Sequence, residues 1–145
     1  LSFNLIIITR NYDIHYLIYL LLITTLTDTF ALISGMLVGK HKLCPKISPN
    51  KTIEGLVGGV LMGTFTATAF YVTVIRSSVS LVFILILTLL LCLVGQLGDL
   101  VFSSIKRYYG VKDFSNLIPG HGGVLDRFDS LIFVTLAFII LLAWL

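Results

Sequence analysis

Four long apolar segments constrain the fold of this chain more than any other feature of its sequence. A helix needs about 20 mostly apolar residues to span a bilayer, and the segments that reach or approach this length are Ile14–Val38, Leu56–Ile75, Leu81–Phe102 and Phe128–Leu145. In lipid the backbone polar groups must be satisfied within each segment, so these runs are predicted to be helices despite their β-branched residues. The sequence therefore predicts an all-α, polytopic transmembrane bundle with about four spanning helices.

The composition excludes an ordinary soluble domain. Of the 145 residues, 57% are hydrophobic and 12% are charged, whereas a soluble domain has about 25% charged residues; the mean hydropathy is +1.04. The chain begins with Leu1 rather than Met, and we expect it to be the C-terminal part of a longer protein, forming one domain over residues 1–145. Cys44 and Cys92 lack the spacing of a metal site, and no disulfide between them is expected.

The basic residues are concentrated in two of the connections between the apolar segments. Residues 40–51 contain four lysines and residues 103–127 contain four basic residues, whereas the second and third segments are joined by a turn with only Arg76. Cytoplasmic loops of membrane proteins carry an excess of Lys and Arg. Because four spans place the two basic loops on the same side of the bilayer, that side is predicted to be cytoplasmic.

The second apolar segment carries a stripe of glycines. Gly55, Gly59 and Gly63 are four residues apart and therefore share one helix face, which favours close packing against another helix. A passage for a ligand along this face is the alternative interpretation.

Two aspartates lie within or near apolar segments, where a carboxylate is costly. Asp28 is deep in the first segment, and a charge at that depth requires a partner or water. It either bonds to another helix or lines a polar cavity that opens to the cytoplasm. Asp99 lies near the cytoplasmic end of the third segment, with Gln96 on the same helix face and with Gly98 expected to leave space beside the carboxylate; a position at the membrane interface is the alternative.

Asp126 and Asp129 are three residues apart at the start of the fourth segment and share a helix face. Capping of the helix is the alternative interpretation, but it would need only one aspartate. Mg²⁺ prefers oxygen ligands, commonly one or two carboxylates together with water and substrate phosphates. We therefore predict Asp99, Asp126 and Asp129 as ligands of Mg²⁺, and whether one cation or two are bound stays open.

Two loops combine groups that can bind phosphate. Residues 119–123 form a Pro-Gly-His-Gly-Gly turn, in which glycines let backbone N–H groups approach an anion and His121 can donate to a phosphate or assist proton transfer. In residues 48–55, a helix start capped by Asn50 or Thr52 would account for most polar groups. It would not account for Lys51, whose cation opposes the helix dipole; a phosphate nearby would.

The end of the third segment carries a further basic and aromatic group. Lys106 and Arg107 either bind phosphates or anchor the chain to anionic lipid. Tyr108 and Tyr109 are predicted to be interfacial aromatics rather than a platform for stacking bases, and no nucleic-acid partner is expected.

Together these residues resemble the signature of the phosphatidate cytidylyltransferases, also called CDP-diacylglycerol synthases. That signature runs Ser, a variable residue, an apolar residue and Lys-Arg, then Lys-Asp after four spacers, and later Pro-x-His-Gly-Gly-x-x-Asp-Arg-x-Asp. The matching residues here are Ser103, Lys106, Arg107, Lys112, Asp113, Pro119, His121, Gly122, Gly123, Asp126, Arg127 and Asp129. The Ser-Pro-Asn-Lys-Thr-x-Glu-Gly run at residues 48–55 and the Asp28-Thr29 pair are also similar to the family, whereas Ile53 stands where the family usually has Trp.

The resemblance implies an enzyme that converts CTP and phosphatidic acid into CDP-diacylglycerol and pyrophosphate with Mg²⁺. It implies a transmembrane catalytic domain with the active site facing the cytoplasm, and a homodimer. The style of the motif is similar to that of bacterial members, so a bacterial plasma membrane is expected, with a eukaryotic organelle as the alternative. The implied catalytic residues are Asp99, Lys106, His121 and Asp126. The implied substrate-binding residues are Asp28, Ser48, Asn50, Lys51, Thr52, Glu54, Ser103, Arg107, Lys112, Gly122, Gly123 and Arg127.

Two other classes of membrane protein are alternatives. A CDP-alcohol phosphotransferase also places aspartates at a membrane face, but in a single Asp-Gly-x-x-Ala-Arg run, which this sequence lacks. A cation transporter or channel would explain the intramembrane Asp28 and Asp99. It would not explain the two basic loops or the turn at residues 119–123.

Overall fold

The structure, a computed structural model, describes residues 14–45, 47–75, 79–110 and 125–143, and in the last range the side chains from Ser130 to Leu141. Its elements are α1 (Ile14–Val38), β1 (Lys42–Cys44), β2 (Ser48–Thr52), α2 (Ile53–Phe70, continued by a π-helical turn, Tyr71–Ile75), α3 (Leu81–Tyr108) and α4 (Leu125–Ala143).

The helices confirm the predicted membrane bundle. Three of them, covering Ile14–Val38, Ile53–Ile75 and Leu81–Tyr108, are long and apolar enough to cross a bilayer, and α4 contains a shorter apolar stretch, Ser130–Leu141. The first predicted segment has the observed bounds, and α2 begins three residues earlier than predicted, at Ile53 rather than Leu56.

The end of α3 corrects the sequence analysis. The helix continues past Phe102 to Tyr108, so Lys106 and Arg107 lie in its last turn and not in a loop. Cations in the last turn of a helix are stabilised by the partial negative charge of the terminal carbonyl groups. The helix is followed by Gly110, whose φ of 69° is readily adopted only by glycine.

The connection between α1 and α2 contains a β-hairpin that the sequence analysis did not predict. Its strands β1 and β2 pair in antiparallel fashion, with Lys42 opposite Thr52 and Cys44 opposite Ser48. Strand β2 ends at Thr52, whose side-chain oxygen accepts a hydrogen bond from the Gly55 N–H at 3.1 Å. Asn50 and Thr52 are the two predicted caps of α2, and the cap in the structure is Thr52. This cap joins the end of the hairpin to the helix.

The glycine stripe of α2 packs directly on α1, as the helix-packing interpretation predicts. A Cβ atom at Gly59 would lie 2.6 Å from the carbonyl oxygen of Thr27, and one at Gly55 would lie 2.7 Å from that of Ala31. These separations are shorter than van der Waals contact, so only glycine allows the two backbones to come this close. The alternative of a ligand passage along this face is excluded.

Helix α3 is joined to α1 by side-chain hydrogen bonds and to α4 by close packing. The bonds connect Tyr19 with Thr88 (2.7 Å), Thr27 with Cys92 (3.4 Å) and Asp28 with Gln96 (2.8 Å). On the α4 side, a Cβ atom at Gly98 would lie 2.7 Å from the ring of Phe133. The Phe133 ring therefore fills the space left by the absent side chain of Gly98. The expectation that Gly98 leaves space beside the carboxylate of Asp99 stays a prediction.

Candidate active site

A polar cavity of about 310 Å³ lies where the hairpin meets α1, α2 and α3. This volume is at the lower end of the range typical of small-molecule sites. Its lining combines charged and polar groups with an apolar wall, and consists of Asp28, Ala31, Leu32, Leu43, Ser48, Asn50, Lys51, Thr52, Leu56, Gln96 and Asp99. The cavity therefore collects residues from the first three apolar segments and from the first basic loop.

An ion pair between Lys51 and Asp99 connects the hairpin to α3 inside this cavity. The ammonium nitrogen of Lys51 bonds to Oδ2 of Asp99, and about a quarter of each side chain is exposed. Within the described part of the chain, this nitrogen is buried and has no hydrogen-bond partner beyond that carboxylate. The sequence predicts a phosphate near Lys51, because a cation is unfavourable beside the start of α2. In the structure, Asp99 of α3 provides a negative partner for this cation.

Asp99 also has a neighbour on its own helix. The hydroxyl of Ser103, one turn later, donates to Oδ1 of Asp99 at 3.5 Å. Ser103 is itself outside the cavity lining, so the structure places it beside a predicted catalytic residue rather than on the cavity surface.

Asp28 satisfies both interpretations that the sequence left open. Its Oδ1 accepts a hydrogen bond from Nε2 of Gln96 at 2.8 Å, which joins α1 to α3, and its side chain lines the cavity. Gln96 is only 3% exposed. Gln96 is predicted to share a helix face with Asp99 but is not among the predicted site residues. An amide within a long apolar run was the available signal, because such a group requires a polar partner.

Glu54 lies outside the cavity lining and holds the hairpin instead. Its carboxylate accepts hydrogen bonds from the backbone N–H groups of Lys40 and His41, each at 3.2 Å, and bonds to the ring nitrogen Nδ1 of His41 at 2.6 Å. The Ile53 N–H donates to the carbonyl oxygen of His41 at 3.0 Å. The predicted role of Glu54 in binding substrate remains a prediction, and the contacts in the structure are those of an anchor between β1 and α2.

Arg107 also contacts the hairpin. Its Nε donates to the carbonyl oxygen of Ile47, in the turn between the strands, at 3.2 Å. Together with the Lys51–Asp99 pair, this bond fastens the hairpin to α3 at two points. Lys106, its neighbour in the last helical turn, is half-buried and outside the cavity lining.

The predicted site residues fall into three groups. Those in the cavity lining are Asp28, Ser48, Asn50, Lys51, Thr52 and Asp99, and those outside it are Glu54, Ser103, Lys106 and Arg107. The backbone of Asp126, Arg127 and Asp129 belongs to the start of α4. The side chains of these three residues, and all of Lys112, His121, Gly122 and Gly123, lie outside the described residues.

The described residues alone do not form a complete metal centre. Among them, no group of three or more His, Cys, Asp and Glu side chains is positioned to hold a metal ion. Asp99 is the described member of the predicted set of three carboxylates. The predicted Mg²⁺ site therefore stays a prediction.

The fold and the cavity define an integral membrane protein, built as a helix bundle around a charged cavity that is covered by a short hairpin. The chain belongs to the cytidylyltransferase family, whose sequence profile matches residues 1–145. This confirms the family resemblance found in the sequence.

Curated relatives agree with this assignment. The chain is 50% identical over 126 residues to the phosphatidate cytidylyltransferase of Staphylococcus saprophyticus, 49% identical to that of Staphylococcus haemolyticus and 51% identical to that of Staphylococcus aureus. Each match covers 87% of this chain and 48% of the relative. The chain thus spans about half the length of the curated relatives it matches.

Proposed function

We propose that this chain carries the active site of a phosphatidate cytidylyltransferase, which transfers CMP from CTP to phosphatidic acid and releases pyrophosphate. The relatives bear the name of this activity, and the family assignment supports nucleotidyl transfer. The observation that carries the proposal is the Lys51–Asp99 pair in a polar cavity between membrane-spanning helices. It brings a cation suited to phosphate and an acid suited to a divalent metal to one place.

The hairpin supplies the phosphate-binding part of the site. The lining residues Ser48, Asn50 and Lys51 present a hydroxyl, an amide and an ammonium group from β2. Lysine binds phosphate as a compact point charge. When CTP binds, its triphosphate lies beside Lys51. The ammonium group of Lys51 then has two negative partners, the triphosphate and the carboxylate of Asp99.

The reaction is a substitution at the α-phosphorus of CTP. An oxygen of the lipid phosphate forms a bond to that phosphorus, and the bond from the α-phosphorus to the oxygen bridging to the β-phosphorus breaks. The electron pair leaves with pyrophosphate. Catalysis of phosphoryl-type transfers rests largely on positioning and charge stabilisation, and we propose that Lys51, Lys106, Arg107 and Arg127 hold the phosphates, with His121 assisting proton transfer.

We propose Mg²⁺ as the cofactor, held by Asp99 together with Asp126 and Asp129. The carboxylate of Asp99 is an oxygen donor at the cavity wall, which suits a hard cation. Asp129 precedes Phe133 by four residues on α4, and Phe133 contacts Gly98, the neighbour of Asp99, which supports placing the three acids near one another. When bound, Mg²⁺ neutralises charge on the triphosphate and the leaving pyrophosphate.

The site requires access to both a water-soluble nucleotide and a lipid. We propose that the hairpin and the start of α4 face the cytoplasm of a bacterial cell, because the two basic loops are expected on that side, and that phosphatidic acid reaches the cavity from the bilayer. A homodimer remains a prediction that rests on the family resemblance.

Transfer of label from the α-phosphate of CTP to phosphatidic acid tests this proposal. The intact protein, purified in detergent, is expected to form a labelled lipid product only when CTP, phosphatidic acid and Mg²⁺ are all present. Asp99→Asn is expected to lower the rate by at least about 100-fold, since it removes a group that places the reacting phosphates. Lys42→Gln, which removes a charge from an exposed residue of the hairpin outside the cavity lining, should retain the wild-type rate.

Two outcomes would contradict the proposal. One is the absence of lipid product from the intact protein under all conditions, and the other is an Asp99→Asn variant with the wild-type rate. Cation flux through liposomes containing the protein, without CTP, would instead favour the transporter alternative.

A further inference from the structure

Three hydrogen bonds between helices lie on one stripe of α3, four residues apart. They join Thr88, Cys92 and Gln96 of α3 to Tyr19, Thr27 and Asp28 of α1. The first two bonds lie in the closed interior, because all four of their side chains are at most 2% exposed. The third bond opens into the cavity, which both Asp28 and Gln96 line.

The third bond differs from the other two in charge. Hydroxyl and thiol groups form the first two links between α1 and α3, and such neutral groups suffice to hold two membrane helices together. A carboxylate within a spanning segment is much more costly to keep than a hydroxyl. Asp28 also lines the cavity, and its charge at that wall indicates a role toward the cavity.

Gln96 fixes the orientation of the Asp28 carboxylate through this hydrogen bond. A carboxylate only accepts hydrogen bonds, so the amide of Gln96 must turn its NH₂ group toward Asp28. Gln96 is held in the packed interior at 3% exposure, and its Nε2 lies 2.8 Å from Oδ1 of Asp28. The amide thereby fixes one carboxylate oxygen on a rigid helix.

The Asp28–Gln96 bond also lies next to the proposed catalytic acid. Gln96 precedes Asp99 by three residues, so the two share a face of α3 about one turn apart. The cavity wall thus carries two anchored acids from different helices, Asp28 of α1 held by Gln96 and Asp99 of α3 paired with Lys51.

We propose that Gln96 is a positioning residue for the transfer reaction, and that it acts by holding the carboxylate of Asp28 toward the substrate. This inference rests on the proposed function. A shift of a reacting or binding group by about 1 Å can cost about 100-fold in rate, so loss of the amide is expected to lower kcat more than it raises KM for CTP.

The test compares Gln96→Met with Thr88→Val in the intact protein. Each change removes the α3 partner of one α1–α3 hydrogen bond and keeps the side-chain volume, but only Gln96 lines the cavity. Gln96→Met is expected to lower kcat by at least about tenfold at a melting temperature no lower than that of Thr88→Val. Thr88→Val should keep the wild-type kcat. Asp28→Asn combined with Gln96→Met should be no slower than the slower single variant, because residues that act as a unit are not additive.

The outcomes separate this inference from the proposed function. Equal kcat values for Gln96→Met and Thr88→Val, in an active wild-type background, would overturn the positioning role and leave the proposed function standing. Independent, multiplicative losses from the Asp28 and Gln96 changes would also overturn it. An inactive wild-type protein would remove the proposed function and this inference together.

Discussion

The Lys51–Asp99 pair allows a prediction whose size follows from the structure. Opposite unit charges about 4 Å apart attract by ~4 kcal/mol at an effective dielectric constant near 20 and by ~1 kcal/mol in water. Each side chain keeps about a quarter of its exposure, so the environment lies between these limits. We expect a coupling energy of about 1–3 kcal/mol between the two residues.

Lys51→Met and Asp99→Asn are the two perturbations of this prediction. Each leaves one charged or polar group in the cavity without its partner, and each is expected to lower the free energy of unfolding by about 1–3 kcal/mol. The double variant leaves neither charge unpaired. It is expected to be less destabilised than the sum of the single variants, because replacing both members of a partly buried pair is often close to neutral.

Denaturation of the four proteins by SDS in mixed micelles measures this coupling. The activity assay separates the pair's structural role from its functional one, since the double variant should regain stability while remaining inactive. Additive effects below about 0.5 kcal/mol each, the usual range for surface changes, would show that the two side chains do not pair in the protein.

Three further predictions concern the scaffold of the site. Gly59→Ala should lower the melting temperature more than Gly95→Ala, because the added Cβ meets a backbone oxygen 2.6 Å away at Gly59 but a movable Val134 methyl group 3.0 Å away at Gly95. Overpacking of this kind costs about 1–3 kcal/mol of stability. Equal melting temperatures would contradict the close α1–α2 contact. Thr52→Ala should cost about 0.5–2 kcal/mol through loss of the helix cap, whereas Thr52→Ser should keep most of the stability; an equal loss in both variants would argue against the cap. Glu54→Ala should accelerate hydrogen exchange at the backbone amides of Lys40 and His41, which bind the Glu54 carboxylate. The Gly55 amide, which is bonded to Thr52 instead, serves as the internal control. Unchanged exchange at Lys40 and His41 would refute the anchoring role.

Most of the bundle could be predicted from the sequence because a membrane span is a local property. The first segment, Ile14–Val38, has the observed bounds, since length and hydropathy alone define such a helix. The stripe Gly55, Gly59 and Gly63 was also informative, because its spacing reports a helix face directly.

The end of α3 was less predictable because the apolar run and the helix do not end together. The polar residues after Phe102 reduce hydropathy, but they contain no helix breaker, and the helix continues to Tyr108. Gly110 was a better indicator of the end than the last apolar residue.

The hairpin depends on contacts that local sequence does not contain. Pro45, Pro49 and the surrounding lysines are typical of a loop, yet Glu54 and Arg107 bind the backbone of this segment and fix its position. The pairing of Lys51 with Asp99 likewise joins residues from separate elements. The sequence could indicate that each charge needs a partner but not which residue supplies it.

The central claim is that the cavity beside Lys51 and Asp99 binds the triphosphate of CTP, and protection of one introduced thiol tests it most directly. Asn50→Cys places a thiol in the cavity lining in a Cys44→Ser background, where the remaining Cys92 is buried. When Mg²⁺ is present and the CTP concentration is about ten times the Kd for CTP, modification of the Asn50→Cys thiol by a charged maleimide should slow about tenfold. The control is Tyr108→Cys, at a position that is 86% exposed and outside the cavity, which should react at the same rate with and without CTP. Equal modification rates of the Asn50→Cys variant with and without CTP, in a protein shown to bind CTP, would contradict the claim.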